Sequence, residues 1–197
     1  MTKEKIISVA MKLFARNGFA GTSIREISSE AGTNLAAINY YFKSKEGLYQ
    51  SCLKKISEST INLTKKSLTE AKSTNDIYNS LLSFTNEIFY FYIENPNLLL
   101  LSLQETEKRE TSEFPNIENL FNSLTYYFCS LRKNNLIKNN YEPSVLASMF
   151  FGIINHAIRY DEQRKKKIGK NLKDNTEYRK LYSEHIVSVF HRGIINN

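Results

Sequence analysis

The stretch TSIREISSEAGTNLAAINYYF, in the first quarter of the chain, constrains the fold more than any other part of the sequence. Ser23 and Glu26 stand in capping-box spacing at the start of a short helix, and Gly32 ends that helix. The next two residues, Thr33 or Asn34, can cap a second short helix. Two short helices joined by a tight turn that contains glycine form a helix-turn-helix, so the sequence predicts this motif here.

Helical spacing of apolar residues continues through the rest of the chain, without a strand pattern of sufficient length. Glycine (7) and proline (3) are scarce among the 197 residues, which is typical of helices with short connections. The expected fold class is all-α, with a small N-terminal domain over residues 1–46 and a larger helical domain over residues 47–197. Later helices are predicted over residues 117–133, 144–159 and 177–195, with a solvated, mobile connection over residues 161–175.

The basic excess of the protein belongs to its N-terminal third. Residues 1–66 carry 11 Lys and Arg against 5 Asp and Glu, whereas the remaining residues are almost neutral within a net charge of +7. This placement favours a polyanionic partner for the N-terminal third. Charge alone leaves solubility as the alternative explanation.

Several function classes find no support in the sequence. There is no apolar run long enough for a membrane span and no signal peptide, so a cytoplasmic protein without a membrane partner is expected. Cys52 and Cys129 are expected to be small buried hydrophobes, and the three histidines lack metal-site spacing, so no metal and no cofactor are predicted. No catalytic motif is present, and we expect no enzyme.

The second helix of the motif has the residue types that a major-groove helix needs. Small or apolar residues, Ala36, Ala37 and Ile38, are expected on its inner face, and Phe42 is expected to pack between helices. On the outer face, Asn34, Asn39 and Tyr40 can form hydrogen bonds, and asparagine can contact adenine with two hydrogen bonds. Lys43 and Lys45 suit phosphates, as do the helix starts at Ser23 and Ser44.

The run LFARNGFAGTSIREISSEAGTNLAAINYYFKSKEGLY resembles the N-terminal domain of the TetR family of bacterial transcriptional repressors. The matching positions are Phe14, Gly18, Thr22, Ile24, Ile27, Ala31, Gly32, Tyr40, Phe42, Lys45 and Leu48. The resemblance is strong over about the first quarter of the chain, and beyond it only the length and the helical pattern fit.

This resemblance implies a DNA-binding surface and a homodimer. Together with the residue chemistry, it gives the predicted DNA-binding residues Ser23, Arg25, Thr33, Asn34, Leu35, Ala37, Asn39, Tyr40, Tyr41, Lys43 and Lys45. Asn39 replaces a common family tyrosine and Tyr41 a frequent histidine, so the operator sequence cannot be borrowed from other members. The partner is expected to be a double-stranded operator, (pseudo)palindromic because the resemblance implies a dimer.

The dimer is expected to form through the last two predicted helices. Their apolar stripes are Val145, Leu146, Met149, Phe150, Ile153, Ile154, Ala157 and Ile158 on one helix and Leu181, His185, Ile186, Val189 and Phe190 on the other. Without the resemblance, the same stripes would be explained as core. The basic run from Arg164 to Lys173 is expected to be solvated, with contact to DNA or an acidic membrane as the alternative.

The resemblance also implies an inducer site in the larger domain, which makes that domain a ligand-binding and dimerisation domain. The candidate ligand-binding residues are Phe84, Ile88, Phe91, Leu103, Gln104, Phe121, Leu124, Phe128, Phe150, Asn155 and His156. These residues could equally fill a core. The predicted function is a ligand-responsive regulator, a repressor released by a small apolar or amphipathic inducer. The alternative is a small-molecule binding module or adaptor without sequence-specific DNA binding.

Overall fold

The computed structural model describes residues 3–97, 101 and 118–196, and within these ranges the chain is all-α, as predicted. The helices are α1 (Lys3–Asn17), α2 (Ile24–Ala31), α3 (Leu35–Phe42), α4 (Lys45–Ser67), α5 (Thr74–Glu94), α6 (Glu118–Lys133), α7 (Pro143–Arg159), α8 (Asp161–Ile168) and α9 (Thr176–Ile194). No helix in these described ranges is both long enough and apolar enough to cross a membrane.

The described residues form two compact units, and the division falls inside α4. The first unit contains residues 3–59 with 95–97 and 101, and the second contains residues 60–94 and 118–196. The predicted domain division after residue 46 stays a prediction, because it concerns which residues read DNA and which bind a ligand.

In the first unit, α1 provides one side of the core. Its Leu13 and Phe14 are buried, as are Ile27 of α2 and Ile38 of α3. The Phe14 ring meets the ring of Tyr49 edge-on, with 4.9 Å between the ring centroids. The apolar residues that recur at helical spacing in the sequence therefore face this core. The short helices α2 and α3 depend on packing against the core for their stability.

The turn between α3 and α4 requires a glycine at position 47. The Lys43 N–H donates to the Asn39 carbonyl at 2.9 Å, and the Ser44 Oγ then accepts from the Gly47 N–H at 3.1 Å. This tight path brings the Phe42 carbonyl oxygen so close to Gly47 that a Cβ there would overlap it. Gly47 thus allows α4 to begin directly beside the end of α3.

The second unit is built on two helix pairs, α5 with α9 and α6 with α7. Their aromatic side chains form its centre: the Phe150 and Phe190 ring centroids are 4.9 Å apart, and those of Phe128 and Phe190 are 5.8 Å apart. Near the C-terminus, Ile137 and Ile195 form an isolated antiparallel bridge. The bridge ties the end of α9 to the connection between α6 and α7.

The connection predicted to be mobile contains an ordered helix, α8, so that prediction is wrong. The Asp161 side chain is completely buried, and it accepts hydrogen bonds from the N–H groups of Leu172 (2.7 Å) and Lys173 (3.2 Å). Arg164 Nη2 donates to the same carboxylate at 3.0 Å and also to the Ala157 carbonyl. The bonds to Leu172 and Lys173 span eleven and twelve residues, and they order a segment that has almost no apolar periodicity of its own.

The two cysteines differ from each other. Cys52 is buried, as expected, and burial raises the pKa of its thiol to about 12. Cys129 is exposed, so the prediction that it is buried is wrong. Its neighbour Phe128 faces the core of the second unit together with Leu124, which leaves position 129 on another side of α6.

We expect Asp161→Asn to lower the free energy of unfolding by on the order of 3 kcal/mol, because the half-buried Arg164 guanidinium would lose its counter-charge. Denaturant unfolding followed by circular dichroism measures this. The control is Glu162→Gln, which changes an exposed carboxylate on the same helix and should stay within about 0.5 kcal/mol of wild type. Equal effects of the two substitutions would contradict the role given to Asp161.

We expect Gly47→Ala to destabilise the first unit by about 1–3 kcal/mol, because the added methyl group has no space beside the Phe42 carbonyl. Helix propensity acts in the opposite direction, since alanine is the better helix former. The matched control is Gln50→Ala at an exposed position of α4. A Gly47→Ala protein as stable as this control would show that the turn relaxes freely.

Candidate nucleic-acid interface

Helix α2 is capped by Ser23 and tied to α1 by Glu26. The Ser23 Oγ accepts from the Glu26 N–H at 3.1 Å, which is the serine half of the predicted capping box. The Glu26 carboxylate accepts from Asn17 Nδ2 at 3.3 Å and lies 3.5 Å from Arg16 Nη2. Glu26 therefore holds α2 against α1, a role that its spacing from Ser23 did not predict.

The turn between α2 and α3 is closed by reciprocal hydrogen bonds between Ser28 and Thr33. The Thr33 N–H donates to the Ser28 carbonyl at 2.9 Å, and the Ser28 Oγ donates to the Thr33 carbonyl at 2.7 Å. Gly32 lies between them in the left-handed region, with φ at 63°, where glycine is the favoured residue. The angle between the two helices is therefore set by backbone and hydroxyl groups.

Helix α3 begins at the N-cap Asn34. Its side-chain oxygen accepts from the Ala37 N–H at 2.8 Å. Of the two N-cap candidates in the sequence, Thr33 and Asn34, the cap is therefore Asn34. This bond occupies the amide oxygen and leaves the Nδ2 hydrogens free to donate. Asn34 can thus cap the helix and still present a donor outward.

Ile38 and Phe42 of α3 are buried, Ala37 is half-buried, and the other five residues of the helix are exposed. Tyr40 is 82% exposed, and Leu35, Asn39 and Tyr41 are also exposed. Ala36 is exposed as well, so its predicted place on the inner face is wrong. Ala36 stands two positions before Ile38, which corresponds to a rotation of about 200° around the helix axis and turns Ala36 away from the core.

Two lysines next to the helices lie over aromatic rings. The Lys45 Nζ is 4.4 Å from the centroid of the Phe19 ring, and the Lys3 Nζ is 5.8 Å from that of Phe42. A cation over a ring is positioned by the ring and keeps its charge. Both ammonium groups therefore remain able to attract an anion.

The residues predicted to bind DNA come from α2, α3 and the adjoining turns of the first unit. Eight are exposed, namely Ser23, Arg25, Asn34, Leu35, Asn39, Tyr40, Tyr41 and Lys43, and Thr33, Ala37 and Lys45 are half-buried. Sequence analysis missed Ala36 as an outward residue, although its spacing of four from Tyr40 places both on one side of the helix. The contact of each residue with DNA stays a prediction.

The residues predicted to bind a ligand lie at different depths. Phe84, Ile88, Leu124, Phe128 and Phe150 are buried, Phe91, Phe121 and Asn155 are half-buried, His156 is exposed, and Leu103 and Gln104 lie outside the described residues. The Asn155 Oδ1 accepts from Arg159 Nε at 2.9 Å, and the His156 ring lies 4.4 Å from that of Tyr160. Their assembly into one ligand site stays a prediction.

Residues 6–52 match the family model described as "Bacterial regulatory proteins, tetR family". The same region is 55% identical over 49 residues to the probable HTH-type transcriptional regulator YttP of Bacillus subtilis, a match that covers 25% of this chain and 24% of YttP. A longer match, 31% identical over 104 residues, links the chain to the HTH-type transcriptional repressor NicS of Pseudomonas putida. It covers 53% of this chain and 48% of NicS, so the chain matches less than half the length of either relative.

The likeness in fold extends over the whole chain. The crystal structure of the transcriptional regulator FadR from Bacillus subtilis in complex with stearoyl-CoA superposes with a TM-score of 0.75 at 19% identity, covering 98% of this chain and 99% of FadR. Such low identity supports the fold alone. The family model adds the family of the N-terminal region: residues 6–52, which contain the capped helix-turn-helix, belong to the TetR family of bacterial regulatory proteins.

Proposed function

We propose that this protein is a ligand-responsive repressor that binds operator DNA as a homodimer and is released by a small apolar or amphipathic inducer. The observation that carries the proposal is the outward face of α3, where hydrogen-bonding and small side chains stand on a helix fixed by caps at its start and by a tight turn at its end. This combination suits a helix that enters the major groove.

Base reading is assigned to the exposed side chains of α3. Asn39 can contact the N6 and N7 atoms of an adenine with its amide, and Asn34 adds a donor through Nδ2. Leu35 and Ala37 can pack against thymine methyl groups. Because Leu35 and Asn39 are exposed, substituting them should alter recognition and leave the fold intact, whereas Asn34 also caps α3.

Phosphate contacts are assigned to the residues around α3. The Tyr40 and Tyr41 hydroxyls and the Lys43 and Lys45 ammonium groups can bind phosphate oxygens. Arg25 reaches a phosphate or a base edge. The N-terminus of α2 at Ser23 adds free N–H groups and the positive end of a helix dipole.

A homodimer through α7 and α9 is supported by apolar side chains that their own unit leaves exposed. Val145 and Met149 of α7 are 53% and 55% exposed, and Val189 of α9 is 75% exposed. Between them runs a groove of about 270 Å³, which Ile153 and Gly193 also line. Two copies that bury these faces would form a four-helix interface and would read a (pseudo)palindromic operator.

An apolar or amphipathic inducer is supported by the aromatic centre of the second unit. Its phenylalanine side chains offer apolar contacts to a ligand that separates them. FadR, which shares the fold, binds stearoyl-CoA in its crystal structure. The inducer must bind the DNA-free state more tightly than the DNA-bound state, since equal affinity for both would leave the equilibrium between them unchanged.

The alternative function is a cytoplasmic small-molecule binding module or adaptor without sequence-specific DNA binding. It predicts ligand affinity without salt-dependent affinity for DNA. The exposed, basic surroundings of α3 favour the regulator, because an adaptor has no need for this surface.

We expect Asn39→Ala to weaken binding to the operator by about 1–3 kcal/mol and to relax base preference at one position. Binding of labelled DNA from upstream of the gene, titrated with salt and with unrelated competitor DNA, measures both effects. Asn62→Ala is the matched control, because Asn62 is an exposed asparagine on α4 within the second unit. If wild type showed no preference for any fragment in a genome-wide selection of bound DNA, the adaptor would replace the regulator.

We expect Val189→Glu to convert the dimer to a monomer at micromolar concentration, because a carboxylate would be buried in an apolar interface. Light scattering coupled to gel filtration measures the mass. Affinity for the operator should fall by about 100-fold or more, since the second half-site contact would no longer be intramolecular. Tyr126→Glu changes an equally exposed side chain on α6 and should leave the mass and the affinity unchanged. A dimeric Val189→Glu protein would move the interface away from α9.

A further inference from the structure

The ordered segment over residues 161–174 carries more positive charge than its structure uses. It contains six basic and three acidic side chains. Two ion pairs are internal: Arg164 Nη2 lies 3.0 Å from the Asp161 carboxylate, and Lys165 Nζ lies 2.5 Å from that of Asp174. The remaining lysines are therefore surplus to the folding of this segment.

The surplus cations form one exposed group, which we call the α8 basic surface: Lys166, Lys167, Lys170 and Lys173. Within the part of the chain that the structure describes, none of these four ammonium groups has an ion-pair partner. With Glu162 as the one carboxylate outside the two ion pairs, the segment keeps a net surplus of three positive charges, and these repel each other. A partner that brings negative charge would relieve this repulsion.

The α8 basic surface is held rigidly by buried polar groups. Asn171 is buried, its Oδ1 accepts from the Asp174 N–H at 3.1 Å, and its Nδ2 donates to the Asp174 carboxylate at 3.1 Å. Arg179 Nη1 donates to the Leu172 carbonyl at 2.6 Å. With Asp161 buried at the other end, the backbone that carries the lysines has a fixed course, so their charges are presented at little further cost in conformational entropy.

Stabilisation of the α8 dipole explains only part of this charge. Lys166 and Lys167 lie in the last turn of α8, where cations interact favourably with the helix C-terminus. Gly169 then ends the helix in the left-handed conformation, with φ at 71°. Lys170 and Lys173 follow that stop, so a helix-capping role does not account for them.

We propose that the α8 basic surface contacts the phosphate backbone of DNA, as a contact additional to α3. The inference rests on the proposed function, because it assumes that the protein binds DNA. Lysine ammonium groups are mobile point charges that suit phosphates without reading bases. On α8 itself, Ile168 is the one exposed large apolar residue, with 54% of its surface exposed. A helix that lies in a membrane surface adds a broad apolar face to its electrostatic attraction, and α8 lacks such a face, so the chemistry favours DNA over a lipid surface.

The test compares two triple variants with equal loss of charge. Lys166→Gln, Lys167→Gln and Lys170→Gln are combined in one protein, and Lys65→Gln, Lys72→Gln and Lys133→Gln, all exposed in the second unit, are combined in the control. Operator affinity is measured from 50 to 300 mM KCl on a fragment that extends about two helical turns beyond the operator on both sides. The slope of log K against log salt concentration should become shallower by about 1–3 per protomer in the first variant. The ratio of operator affinity to affinity for unrelated DNA should change less than about twofold, because phosphates carry no sequence information.

The outcomes separate this inference from the proposed function. If wild type does not prefer the operator, the proposed function fails. If wild type binds and the first variant keeps the wild-type slope, or matches the control, the α8 contact is overturned and the regulator stands. Vesicles of phosphatidylglycerol and phosphatidylcholine provide a further arm: vesicle binding lost in the first variant, with an unchanged DNA slope, would assign the surface to anionic lipid and overturn the DNA contact.

Discussion

The presentation of α3 depends on just two buried side chains, Ile38 and Phe42, because the helix has only eight residues. They stand four residues apart and anchor one line along the helix. Two side chains on one line do not prevent the helix from rotating about its axis, so its orientation has to be fixed at its two ends. Asn34 fixes the start, and the close approach of Gly47 to the Phe42 carbonyl fixes the exit. The exposed side chains of α3 are therefore not needed for the core, and under the proposed function they can vary with the operator sequence.

In the second unit, a buried charge orders a polar segment of the chain. A buried carboxylate is costly unless its oxygens are satisfied, and Asp161 meets this condition with two backbone N–H donors and a guanidinium. The two N–H donors, Leu172 and Lys173, lie beyond the end of α8, so the carboxylate orders a segment that has few apolar side chains to place in a core. This explains how a helix as polar as α8 is ordered beside a conventional aromatic core.

The sequence predicted those features that depend on near neighbours. Ser23, Asn34 and Ser44 act as caps through bonds three residues away, which spacing alone reveals. Helix α8 was missed because its order comes from Asp161 binding N–H groups eleven and twelve residues on, which no periodicity records. The family resemblance supplied the residues that are predicted to face the groove, since apolar spacing identifies only the inner face. The ligand residues stay unresolved because a packed core and a ligand pocket require the same aromatic pattern.

Helix α7 has two apolar sides, and this links the proposed ligand site to the proposed dimer. Phe150 faces the aromatic centre, 6.3 Å from the Phe84 ring, while the adjacent Met149 is exposed on the other side. A ligand that enters between Phe84 and Phe150 has to displace α7 or its side chains, because the centre is closely packed. In a dimer formed through α7, such a displacement alters how the two copies meet. The ligand then favours one dimer arrangement by its difference in affinity for the two, and operator DNA, by favouring the other, must weaken ligand binding by the same factor.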